Sequence, residues 1–80
     1  MERKLGREAA ARAAYDEALE VFRRSKDRGG EADVRCELGV WESNRNPQLA
    51  KQHFLAAADL YASIGDTRRE KRVRERADRL

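Results

Sequence analysis

Displaced by 39 residues, the sequence falls back on its own pattern without a gap: Ala11, Tyr15, Ala18 and Phe22 land on Ala50, Phe54, Ala57 and Tyr61. The register continues through Asp27 on Asp66, Glu31 on Glu70, Val34 on Val73, Leu38 on Ala77 and Trp41 on Leu80. Within each copy the apolar positions recur every three or four residues, the spacing of one helix face. A self-similar period of roughly 20 to 50 residues marks stacked arrays, in which one unit cannot bury its apolar face alone and nests against the next. Small residues at the crossing points let helix axes approach, and the rings fill the space between successive pairs.

Punctuation divides each copy into two helices. The first helix is expected over 8–25, with Ala11, Ala14, Tyr15, Ala18, Leu19 and Phe22 on one stripe and residues 26–30, two of them adjacent glycines, as a break. The second is expected over 30–44, carrying Val34, Leu38 and Trp41, with Glu31 and Asp33 favourable at its positive end. Asn46-Pro47 opens a third over 47–64, because an Asn side chain caps free N–H groups and Pro at the first helical position loses no needed donor. Its stripe is Ala50, Phe54, Ala57, Leu60, Tyr61 and Ile64, and Gly65 is placed to end it in a left-handed conformation. Asp66 or Thr67 then caps a fourth helix, 67–79, whose apolar line is only Val73, Ala77 and Leu80. The expectation is an all-α chain: one domain over 1–80, with four antiparallel helices stacked as a right-handed α-solenoid fragment and the last helix as a polar cap. A closed four-helix bundle is the alternative.

Composition agrees with helices and limits function. The chain is 41% charged and 40% hydrophobic, with five Gly and one Pro, so helix formers dominate and no strand candidate stands out. Eighty residues make one small core and leave no room for a catalytic cleft between subdomains. The single cysteine, Cys36, cannot form an internal disulfide, and no apolar run nears the roughly 20 residues needed to cross a bilayer. With no secretory-type apolar stretch at the start, the chain reads as soluble and cytoplasmic. The formal net charge is +3, and the whole surplus lies in the second half of the chain.

Ala11, Tyr15 and Ala18, and again Ala50, Phe54 and Ala57, resemble the second helix of the tetratricopeptide repeat family, and Leu38-Gly39 resembles the Leu-Gly pair of its first helix. The run from Gly65 to Thr67 is similar to the family's inter-repeat turn, and the 39-residue spacing to its longer-repeat branch. Arg35 and Glu42 stand where the family usually has aromatics, and no Pro closes either second helix. The resemblance implies a groove lined by first helices: Asp33, Cys36, Glu37, Val40, Ser43 and Asn44 from one, and Arg72, Glu75, Arg76 and Arg79 from the next. Some relatives grip a peptide's terminal carboxylate with Lys and Asn on these helices, but Cys36 and Val40 at the matching places argue against that clamp here. In this phase the helix that would partner Ala11 lies before residue 1, so the chain starts half a repeat in. It reads as a piece of a longer array, or as a protomer that self-associates through its uncovered first helix.

Arg69, Arg72, Arg76 and Arg79 fall at i, i+3, i+7 and i+10, along one helical stripe. Such a row suits an acidic peptide, a phosphate or a nucleic-acid backbone. It equally suits a solvated cap in which Glu70–Arg74 and Glu75–Arg79 form i, i+4 pairs. Nucleic acid is disfavoured, since no aromatic interleaves with the arginines and the basic excess is small. His53 has no second ligand at metal spacing, Cys36 and Trp41 are better placed to pack than to react or anchor, and no carboxylate pair suggests hydrolysis. Gly29-Gly30 is not a phosphate loop, lacking a preceding strand and a following Lys-Ser or Lys-Thr. The sequence therefore predicts a non-catalytic protein-interaction module with no cofactor and no metal. Its partner is another protein or peptide, an acidic one included. The alternatives are an anion or nucleic-acid-backbone binder acting through the arginine row, and a helical homo-oligomerisation module.

Overall fold

The computed structural model describes residues 2–80, with side chains from residue 7 onward, and the chain is all-α. Four helices follow one another: α1 (Glu2–Ser25), α2 (Arg28–Glu42), α3 (Pro47–Ser63) and α4 (Thr67–Asp78), with no strand among the described residues. Helix α1 is longer than the expected 8–25. No breaker interrupts its N-terminal stretch of Glu, Arg, Lys, Leu and Ala, all strong helix formers except at Gly6.

The two turns that follow α1 and α3 are the same motif 39 residues apart. Asp27 N–H donates to the Phe22 carbonyl and Lys26 N–H to Arg23, at 2.9 and 3.1 Å. In the second turn Asp66 N–H donates to Tyr61 and Gly65 N–H to Ala62, again at 2.9 and 3.1 Å. This pair of bonds closes a helix through a left-handed residue. Gly65 takes that conformation at φ 78°, and its equivalent Lys26 takes it at φ 59° despite its Cβ. One residue on, Asp27 and Asp66 cap the next helices by accepting from Gly30 N–H at 2.9 Å and Arg69 N–H at 3.1 Å. Helix α2 therefore begins at Arg28, two residues before the expected start, because the Asp27 cap outweighs the low propensity of Gly29-Gly30. That start leaves Glu31 in the first turn but puts Asp33 beyond it. Asn46 caps α3 as expected, accepting from Leu49 N–H at 3.2 Å with Pro47 at the first helical position.

Extensive contacts join consecutive helices, α1 to α2, α2 to α3 and α3 to α4. The radius of gyration is 13.0 Å against about 11.6 Å for a compact chain of this length, and the extents of 43 × 31 × 14 Å are those of a slab. Burial follows the same order. One cluster holds Phe54, Ala57, Ala58 and Tyr61 of α3 with Ala32 of α2 and Val73 and Ala77 of α4. A second holds Leu19 of α1 with Val34 and Leu38 of α2, flanked by half-buried Tyr15, Ala18, Phe22 and Trp41. Helix α2 thus contributes one face to each cluster. Gly39 is what lets it lie close to α3: a Cβ there would stand 2.6 Å from the Phe54 ring.

Burial differs between repeat equivalents. Phe54 and Tyr61 are 2% and 3% exposed, whereas Tyr15 and Phe22 are only half-buried, since α3 is covered by two helices and α1 by one. Three residues expected on apolar stripes are exposed: Ala14, on the outer side of α1, and Ile64 and Leu80, each past the last residue of its helix.

Candidate functional site

The repeat puts α2 and α4 in equivalent positions, and the space between them is a groove. One part of it is a hollow of about 230 Å³ with Cys36, Phe54, Tyr61 and Val73 as floor and Arg69, Arg72 and Arg76 along one wall. Toward the end of α4 it opens into a second hollow bounded by Ser43, Phe54, Arg72, Glu75, Arg76, Arg79 and Leu80. On the other side of Cys36 lies a shallower depression formed by Tyr15, Glu37, Val40 and Trp41. Of the residues expected to face a groove, Cys36, Ser43, Arg72, Glu75, Arg76 and Arg79 line it, whereas Glu37 and Val40 line the depression on the α1 side of Cys36. Asn44 lines neither; it lies past the end of α2, exposed in the turn. Asp33 lines none of these hollows and instead accepts a hydrogen bond from the Tyr61 hydroxyl.

The arginine row is one wall of this groove. Arg69 reaches Asp66 at 3.5 Å, and its guanidinium stands 5.9 Å from the centre of the Tyr61 ring. Arg76 stands 5.7 Å from the centre of the Phe54 ring. Among the described residues Arg72, Arg76 and Arg79 have no carboxylate partner, and the anticipated Glu75–Arg79 pair is not formed. The anticipated Glu70–Arg74 pair is formed at 3.0 Å, and Arg74 also holds Asp59 at 2.9 Å, which ties α4 to α3 and holds the Arg74 guanidinium above its ordinary pKa. Arg74 is the structural arginine of α4, on the opposite face of the helix from the stripe.

Cys36 packs against the core as expected and also forms part of the groove floor, its thiol 3.9 Å from the Tyr61 hydroxyl. Burial pushes the thiol pKa up, against the opposing effect of that contact, so the sulfur stays protonated and is a poor nucleophile. Burial likewise pushes the Tyr61 phenol up, with its bond to Asp33 acting in the same direction, and so keeps it a donor. Among the described residues no group of three or more His, Cys, Asp and Glu is placed to hold a metal ion.

Behind the groove, between α2 and α3, lies a polar cluster that the periodicity did not reveal. Arg35 donates to His53 Nδ1 at 3.2 Å, which leaves the imidazole proton on Nε2, while Arg35 Nε is buried without a partner. His53 is buried, and burial and then the Arg35 charge lower its pKa. The internal repeat gives no signal for this contact, since the 39-residue equivalent of Arg35 is another arginine, Arg74.

Trp41 is half-buried at the junction of α1 and α2, 6.2 Å from the Tyr15 ring centre and with the Arg45 guanidinium 4.4 Å above it. Arg45 also pairs with Glu8 at 2.8 Å, fastening α1 to the α2–α3 turn. The far side of α1 is open: Val21 is 61% exposed and borders a shallow surface with Ala14, Glu17 and Ala18. No helix of the described residues is long and apolar enough to cross a membrane.

No family model, no curated protein and no solved structure matches this chain.

Proposed function

We propose that this chain is a tetratricopeptide-type interaction module, which holds a segment of another protein in the α2/α4 groove and does no chemistry on it. The observation that carries this reading is a groove with an apolar floor and a cationic wall in which, among the described residues, three arginines lack carboxylate partners. Unlike Arg74, whose pairs tie it to α3, these guanidinium groups border an apolar floor and are open to the carboxylates of an outside partner. Repeat-matched turns, small residues at the helix crossings and Phe54 on Gly39 support the family assignment. The protonated thiol of Cys36 supports a non-catalytic role. A free thiol fits a reducing, cytoplasmic setting.

The test uses peptides selected from a random display library on the immobilised protein. Val40→Glu puts a charge on α2 at an exposed position one helical turn from Cys36 of the groove floor, and Val21→Glu puts one on the open side of α1. The groove reading expects the first variant to lose the selected peptides and the second to keep them, with both retaining full helical circular dichroism. The reverse pattern would move the binding surface to α1.

A further inference from the structure

We infer that the segment held in this groove is acidic with an apolar anchor, its carboxylates on Arg72 and Arg76 and its apolar side chain on the Cys36–Phe54–Val73 floor. This rests on the interaction-module reading above and adds the chemistry of the partner.

The internal repeat supplies the argument. Arg72 and Arg76 of α4 are the 39-residue equivalents of Asp33 and Glu37 of α2, so one face carries opposite charge in successive repeats. Opposite charges on facing walls could neutralise one another across the groove, but among the described residues no such ion pair forms. Asp33 is taken by the Tyr61 hydroxyl, while Arg72 and Arg76 stay free at the hollow. The hollow is therefore cationic along α4, while the carboxylate of Glu37 lies on the other side of Cys36. A ligand that complements it sets acidic groups along α4 and keeps them away from Glu37. Guanidinium groups are weakly hydrated forks that take carboxylates in bidentate fashion, which suits side chains arriving from one edge.

The floor decides between a peptide and a nucleic acid. Non-specific binders of single strands stack bases on exposed rings, and here Phe54 and Tyr61 are 2% and 3% exposed, each with a guanidinium already near its ring. The floor offers a thiol, a ring edge and a valine, which accept an aliphatic or aromatic side chain and give nothing to a base edge.

The experiment is fluorescence anisotropy with three labelled peptides of equal length: glutamates flanking a leucine and a phenylalanine, the same peptide with lysines for glutamates, and glutamates alone. A single-stranded oligothymidylate is the fourth probe. The first peptide is expected to bind at least about tenfold more tightly than the others, to weaken as salt rises, and to lose about tenfold with Arg72→Ala or Arg76→Ala. Arg24→Ala on α1 should change nothing. Equal binding of the lysine peptide, or binding indifferent to both α4 substitutions, overturns the inference. Tighter binding of the oligothymidylate through the same arginines overturns it in favour of a phosphate backbone. If none of the probes binds while library-selected peptides are lost with Val40→Glu, the groove stands and the acidic chemistry falls. If selected peptides ignore Val40→Glu, both fall.

Discussion

Adding one methyl group at Gly39 tests how closely α2 and α3 lie. A Cβ there would meet three atoms of the Phe54 ring at 2.6, 2.7 and 2.8 Å, about 1 Å inside ordinary carbon contact. Phe54 is 2% exposed and part of the packed cluster between α2, α3 and α4, so either the ring leaves its packed position or α2 moves off α3. Overpacking of this kind costs about 1–3 kcal/mol, against a gain of about 1 kcal/mol from replacing Gly by Ala within a helix. Gly39→Ala should therefore destabilise by about 1 kcal/mol, which for 80 residues lowers Tm by about 4–8 °C. Gly29→Ala is the matched control, because a Cβ there meets nothing nearer than 3.6 Å and only the propensity gain remains. Urea unfolding followed by circular dichroism should shift the two midpoints in opposite directions with unchanged slope. Trimming the ring in the double variant Gly39→Ala/Phe54→Leu should recover part of the loss, as neighbours in contact couple. A Gly39→Ala protein as stable as Gly29→Ala would mean that Phe54 does not rest on α2 and would refute the nesting.

Four further outcomes follow from particular residues. Lys26 holds the left-handed position that Gly65 fills in the other repeat, so Lys26→Gly should stabilise by up to about 1 kcal/mol in thermal unfolding. His53 has a folded-state pKa below its unfolded value of 6.5, so the unfolded chain binds the extra proton. Its contribution is intact above pH 6.5 and is lost as pH falls below that, and His53→Gln should flatten the dependence of stability between pH 7.5 and 5.5. Phe54→Ala should cost about 3–5 kcal/mol and the equivalent change at half-buried Phe22 clearly less; equal costs in urea would contradict the unequal cover of the two repeats. Amides of α1 should exchange faster than those of α3, because α1 is packed by one neighbouring helix and α3 by two.

Much of the fold was legible because it is written twice. The register pairing Ala11, Tyr15, Ala18 and Phe22 with their equivalents predicts the helices, and Asn46-Pro47 and Gly65 mark their ends. The first inter-repeat turn was harder to read, since Lys26 is not a residue that advertises a left-handed backbone and Gly29-Gly30 looks like a breaker, although Asp27 caps the helix through them. Ala14, Ile64 and Leu80 kept the apolar spacing but not the burial, because periodicity records which face a residue is on and not whether another helix arrives to cover it. The groove followed from equating α2 with α4, and it failed for Asn44, beyond the helix end, for Asp33, drawn to Tyr61, and for Glu37 and Val40, which border α1 instead. The Arg35–His53 contact joins residues 18 apart on different helices, and no local pattern encodes it.

The most direct test of a groove between equivalent helices is chemical-shift mapping on the ¹⁵N-labelled protein, titrated with a library-selected peptide. Binding between α2 and α4 predicts saturating shifts at Cys36, Ser43, Arg72, Val73 and Arg76, with the outer side of α1 unmoved. Shifts confined to Ala14, Glu17 and Val21 would contradict it.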